Sequence, residues 1–90
     1  MGRFLVERTF PEGFALPIDE AGAQVCLDVL SNNAQCGVAW IHSYVTLDKH
    51  KLICLYDAPS PEAIRLAAQR NGLPVDSTTE VRVLDPYFYK

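Results

Sequence analysis

From Arg3 to Thr9 the chain sets Phe4 and Val6 against Arg3, Glu7 and Thr9, with Leu5 as the exception. That period of two predicts a half-buried strand. Phe10-Pro11-Glu12-Gly13 interrupts it, because proline cannot donate to a ladder and glycine favours turns. A loop is expected to about Pro17. The period then changes to three and four: Ile18, Gly22, Val25, Cys26, Val29 and Leu30 form one stripe of a helix predicted over Ile18 to Ala34. Pro17 suits the entry, Asp19 and Glu20 complement the positive end of the dipole, and Ser31-Asn32-Asn33 with Gly37 marks the exit.

Val38 to Thr46 and Leu52 to Tyr56 are rich in β-branched and aromatic residues and read as strands two and three. The short polar Asp48-Lys49-His50 between them makes the two an antiparallel hairpin. Ser60-Pro61-Glu62 starts a second helix by capping, φ restriction and dipole complementarity, and Gly72 with Pro74 ends it after about Asn71. Ile64, Ala67 and Ala68 form its inner stripe, and a last strand is expected over Thr79 to Leu84. Strand, helix, strand, strand, helix, strand is the ferredoxin-like βαββαβ order, an α+β sandwich in one domain over residues 1–90. A four-stranded antiparallel sheet should carry both helices on one face and leave the other face bare.

Composition adjusts this picture. With 49% hydrophobic and 21% charged residues the chain is expected to pack a core. A net charge of −3 argues against nucleic acid as a partner. No apolar run is long enough to cross a bilayer and no secretory leader pattern is visible, so a cytoplasmic protein without a membrane partner is expected. Cys26, Cys36 and Cys54 are odd in number and form no CxxC pair, which disfavours a disulfide or zinc staple. A 90-residue core is small, and oligomerisation is the remaining supplement.

The bare face is where function is expected. Alternation sends Trp40, His42 and Tyr44 one way and Ala39, Ile41, Ser43 and Val45 the other. Small aliphatic residues suit packing under helices, which assigns the aromatic set to the open face. A second copy could cover that face and enclose a pocket. A three- or five-residue hairpin loop adds Cys54 and Tyr56 to the set, and a two-residue loop adds Ile53 and Leu55. The longer loop is preferred because Asp48-Lys49 lacks the glycine or asparagine of primed turns. Placing Phe4 and Val6 under the helices leaves Glu7 in the pocket, with Arg82 as its expected ion-pair partner.

The expected ligand set is therefore Glu7, Trp40, His42, Tyr44, Cys54 and Tyr56. The reading is a non-enzymatic homodimeric binding module, taking either a small molecule or a metal ion. The alternative is a cofactor-independent enzyme with His42 as acid or base, Tyr44 or Tyr56 as hydrogen-bond donor and Glu7 as orienter. The C-terminal Tyr87-Phe88-Tyr89 is expected to dock across the subunit seam or over the pocket mouth.

Val6-Glu7-Arg8, Trp40 with Ser43-Tyr44-Val45, Asp48-Lys49, Cys54-x-Tyr56-x-Ala58-Pro59, Glu62-Ala63-Ile64-Arg65 and Gly72-Leu73-Pro74 span nearly the whole chain. In combination they resemble a family of small bacterial proteins of unknown function with a dimeric ferredoxin-like fold, the dimeric α+β barrel, some of whose members are described as nickel-binding. The resemblance implies that fold, a homodimer through the open face, and nickel or another divalent metal as a candidate cofactor. This chain has only His42 and His50, and Ala67 stands where relatives often carry histidine. A metal site would therefore rest on His42 with Glu7, Cys54 or residues of a second subunit.

Overall fold

The computed structural model describes residues 1–15 and 19–87. Its elements are β1 (Gly2–Thr9), α1 (Glu20–Gln35), β2 (Ala39–Val45), β3 (Lys51–Ala58), α2 (Pro61–Asn71) and β4 (Ser77–Val81), and all the strand pairings are antiparallel in the order β2-β3-β1-β4. This is the ferredoxin-like α+β fold. The expected docking of Phe88 and Tyr89, and the entry roles of Pro17 and Ile18, fall outside the described residues.

Phe4, Val6 and Arg8 of β1 and Leu52, Cys54, Tyr56 and Ala58 of β3 are buried beneath the helices. The intervening residues Leu5, Glu7, Ile53 and Leu55 face the open side and are half-buried. Ser60 caps α2 by accepting from the Ala63 amide at 3.2 Å. At the far end Gly72 takes φ +68°, the left-handed turn that glycine adopts without a Cβ penalty. Between these stops Ile64, Ala67 and Ala68 press onto the sheet at 2–3% exposure.

Element boundaries differ from the sequence expectation at α1 and at the last strand, among others. Asp19 is the cap of α1, its carboxylate accepting from the Gly22 amide at 3.0 Å. The helix ends at Gln35, one residue beyond the expected Ala34, and in its last turn Asn33 is buried with its Oδ1 accepting from Asn71 Nδ2 at 3.0 Å. The last strand lies at Ser77–Val81 instead of Thr79–Leu84, since pairing with β1 sets its register from Glu7↔Ser77 to Arg3↔Val81.

Candidate functional site

Two local features decide which side chains can meet. The first is the hairpin. Thr46 N–H donates to the Lys51 carbonyl at 3.0 Å, so the loop between them has four residues, Leu47 to His50, in place of the expected three or five. The Asp48 carboxylate organises it, accepting the Thr46 hydroxyl at 2.6 Å and the His50 amide at 2.9 Å. Both bonds favour the ionised form and hold Asp48 below the usual carboxylate range. Lys49 takes φ +63° to complete the turn. This even-numbered loop pairs Tyr44 with Ile53 and His42 with Leu55 on the open face, and sends Cys54 and Tyr56 under the helices.

The second feature is a β-bulge at Ile41. Trp40 pairs with Tyr56 and His42 with Leu55, so one residue of β2 is left over. The bulge reverses the facing of Ala39 and Trp40, so Trp40 turns beneath the helices and packs on the core, its indole N–H donating to Ser43 Oγ at 2.9 Å, and Ala39 takes the open side beside Asp57. The expected pocket is thus divided by the sheet. Glu7, His42 and Tyr44 remain on the open face, whereas Trp40, Cys54 and Tyr56 lie on the covered one, contrary to the open-face assignment.

On the open face His42 and Tyr44 pack edge to face, with centroids 5.1 Å apart and planes at 82°. Tyr44 is 64% exposed. Glu7 does not reach them: β3 intervenes, which at a strand spacing of ~4.8 Å is roughly 10 Å. Its carboxylate accepts the Ser77 hydroxyl at 3.0 Å, in place of an ion pair with Arg82. The acid–base arrangement of His42 oriented by Glu7 is therefore not assembled within the chain. Nor is the metal set of His42, Glu7 and Cys54, whose thiol lies across the sheet. Among the described residues no three His, Cys, Asp or Glu side chains come together to hold a metal ion. The described residues of a single chain do not assemble a nickel centre by themselves.

The covered face holds something the sequence did not anticipate. Between α1 and the sheet lies a cavity of about 240 Å³, lined by Phe14, Val25, Cys26 and Val29 above and by Trp40, Leu52, Cys54 and Tyr56 below. It exists because the α1 stripe stands off the sheet. Val25 remains 48% exposed, and among the described residues of α1 only Gly22 and Asn33 are buried. Phe14 is brought there by its amide, which donates to the Lys49 carbonyl at 2.6 Å, and by its tilted contact with Phe10 at 5.1 Å.

Behind the Tyr56 wall of this cavity lies a buried cation. Arg8, 2% exposed, donates through Nη2 to the Tyr56 hydroxyl oxygen at 3.1 Å and through Nη1 to the Pro74 carbonyl at 2.6 Å. Burial pushes the Tyr56 hydroxyl up to about 12, against the opposing pull of the Arg8 charge, so it is a neutral phenol at physiological pH. The sequence reading missed Arg8 as a site residue, although the alternation Phe4, Val6, Arg8 already placed it on the covered face.

The family model described as nickel responsive protein SCO4226-like matches residues 4–81, and the chain belongs to that family. The crystal structure of SCO4226 from Streptomyces coelicolor A3(2) superposes with a TM-score of 0.72 at 20% identity, covering 90% of this chain and 96% of that one. At that identity the likeness concerns the fold. No curated protein matches.

Proposed function

We propose that this member of the SCO4226-like family is a non-enzymatic binding module: a homodimer joined through its open sheet face, each subunit taking a small apolar molecule into the cavity beneath α1. The cavity is the observation that carries the reading. An apolar pocket with an aromatic wall and few polar groups is the usual form of a small-molecule site. Among the described residues no Asp, Glu or His lines it. The homodimer is supported by the half-buried Leu5, Ile53 and Leu55 and the exposed Tyr44 on one sheet face, apolar surface that a small domain gains by covering.

The test of the cavity uses the single tryptophan, Trp40, which lines it. Calorimetric titration with 2-naphthol should show saturable binding, with a matching change in Trp40 emission, and Val29→Phe should abolish both by filling the space. Absence of saturable binding to the wild-type protein overturns the reading. Sedimentation tests the pairing: a wild-type dimer should dissociate when Tyr44→Glu places charge on the open face, and a wild-type monomer would remove that part.

The family description favours one second reading, in which nickel is held between subunits. Apposed open faces would bring His42 of both copies to one seam, and imidazole is a suitable nickel donor. Nickel should then bind the dimer at a fixed stoichiometry that His42→Ala removes. Wild-type uptake that survives the substitution, or no uptake at micromolar metal, rules this out.

A further inference from the structure

Arg8 is the exceptional residue of the covered face. Its guanidinium is buried, yet the ion pairs among the described residues are Arg3–Asp57 and Arg65–Glu62, and neither involves it. Its two described partners are neutral, the Pro74 carbonyl and the Tyr56 hydroxyl, and its Nε has no hydrogen-bond partner. A buried charge without a counter-ion is costly, and evolution ordinarily pairs it or keeps it in water. Here it stands beside a cavity. Tyr56, which receives the Arg8 bond, lines that cavity, as do Leu52, the cross-strand partner of Arg8, and Leu73, the residue before Pro74. The Tyr56 oxygen already accepts from Arg8, and its hydroxyl interacts with the neighbouring Cys54 side chain, a weak acceptor that an oxygen acceptor in the cavity would displace.

We propose that the cavity selects a small organic acid, its apolar body against Trp40, Val25 and Val29 and its carboxylate accepting from the Tyr56 hydroxyl, with the buried Arg8 supplying the compensating charge. This rests on the cavity being the binding site, and it adds the chemical class of the occupant. The carboxylate is the group that uses both features at once: it is an acceptor for the phenol and a counter-ion for the guanidinium. A compact inorganic anion would satisfy the charge but would leave the apolar walls uncovered. A neutral aromatic would fill the walls but leave the charge unanswered.

The experiment is a calorimetric comparison of 2-naphthoate, 2-naphthol and naphthalene at neutral pH against the wild-type protein, Tyr56→Phe and Arg8→Met. The wild type should bind naphthoate about tenfold or more tightly than naphthol, as expected for a charge-assisted contact. That preference should fall to near parity in both variants while naphthalene binding stays within about twofold, since the walls are untouched. Equal wild-type affinities for naphthoate and naphthol overturn the acid preference and leave the cavity reading intact. A preference that survives both substitutions overturns the roles given to Arg8 and Tyr56. Failure of all three probes overturns the cavity reading and this inference with it. Should Arg8→Met not fold, Tyr56→Phe, which keeps the ring, decides the matter alone.

Discussion

The two helices cover the same face of one sheet and do so differently. α2 is short and presses small residues onto β1 and β3, with Ile64 at 2% and Ala67 and Ala68 at 3% exposure. α1 is longer, yet Val25, Leu27 and Leu30 remain 48%, 59% and 44% exposed. It is held chiefly at its C-terminal end, where Asn32 donates to Asn71 at 2.8 Å, Asn71 donates to Asn33 at 3.0 Å, and Arg70 donates to Gln35 at 2.6 Å. The contrast separates two tasks in a small domain. One helix completes the core, and the other spans a space that the core does not fill.

The strongest way to break this contrast is substitution in the α2 stripe. Ile64→Ala should cost about 2–5 kcal/mol, because a close-packed site leaves a cavity when truncated, and urea unfolding will read it as a lower midpoint. A loss below about 1 kcal/mol would mean that α2 is as loosely seated as α1. Asn71→Ala should cost about 1–3 kcal/mol, since it removes both amide bonds to α1 and leaves the buried Asn33 unsatisfied. Hydrogen exchange should at the same time rise along α1 more than along α2.

Gly72→Ala should cost about 1 kcal/mol, measured by the same unfolding curve. Nothing lies within 4 Å of the added Cβ, so only the positive φ is at issue. Val25→Ala should cost about half a kcal/mol or less, as expected where a side chain is half in water already. A value near that of Ile64→Ala would contradict the stand-off of α1.

The smallest expected effect lies on the open face and depends on pH. The Arg3 guanidinium donates to Asp57 at 2.9 Å and holds its carboxyl below the usual carboxylate range. The unfolded chain therefore takes up this proton at higher pH than the native one. The contribution is present above about pH 4, the ordinary carboxylate pKa, and is lost as pH falls through the lowered native value. Thermal unfolding of Asp57→Asn should lie slightly below wild type at pH 6 and converge with it near the acid limit. A gap that widens on acidification would reverse the sign and refute the assignment.

Much of the architecture is legible in the order of residues. The Ser60 and Gly72 stops, the alternation of Phe4 and Val6 and the stripe of Ile64, Ala67 and Ala68 are local signals, and the structure obeys each of them. The site is legible only in part. Glu7, His42 and Tyr44 fall on the expected face, while Trp40, Cys54 and Tyr56 do not. A strand has period two, so a single extra residue at Ile41 and a single residue of loop length each exchange the faces of the neighbouring strand residues. Neither leaves a clear mark in composition.

Sequence alone determined the order of the elements, the Ser60 and Gly72 stops of α2 and the inward side of β1, because these depend on neighbours a few residues apart. Tertiary structure alone decided that Trp40 turns under the helices, that Asp48 closes a four-residue loop, and that the charged Arg8 stands buried beside an apolar space under α1. Those outcomes depend on pairing between distant strands and on how closely a helix can approach the sheet. That approach is fixed by the polar anchor at the far end of α1, which no pattern within the helix itself encodes.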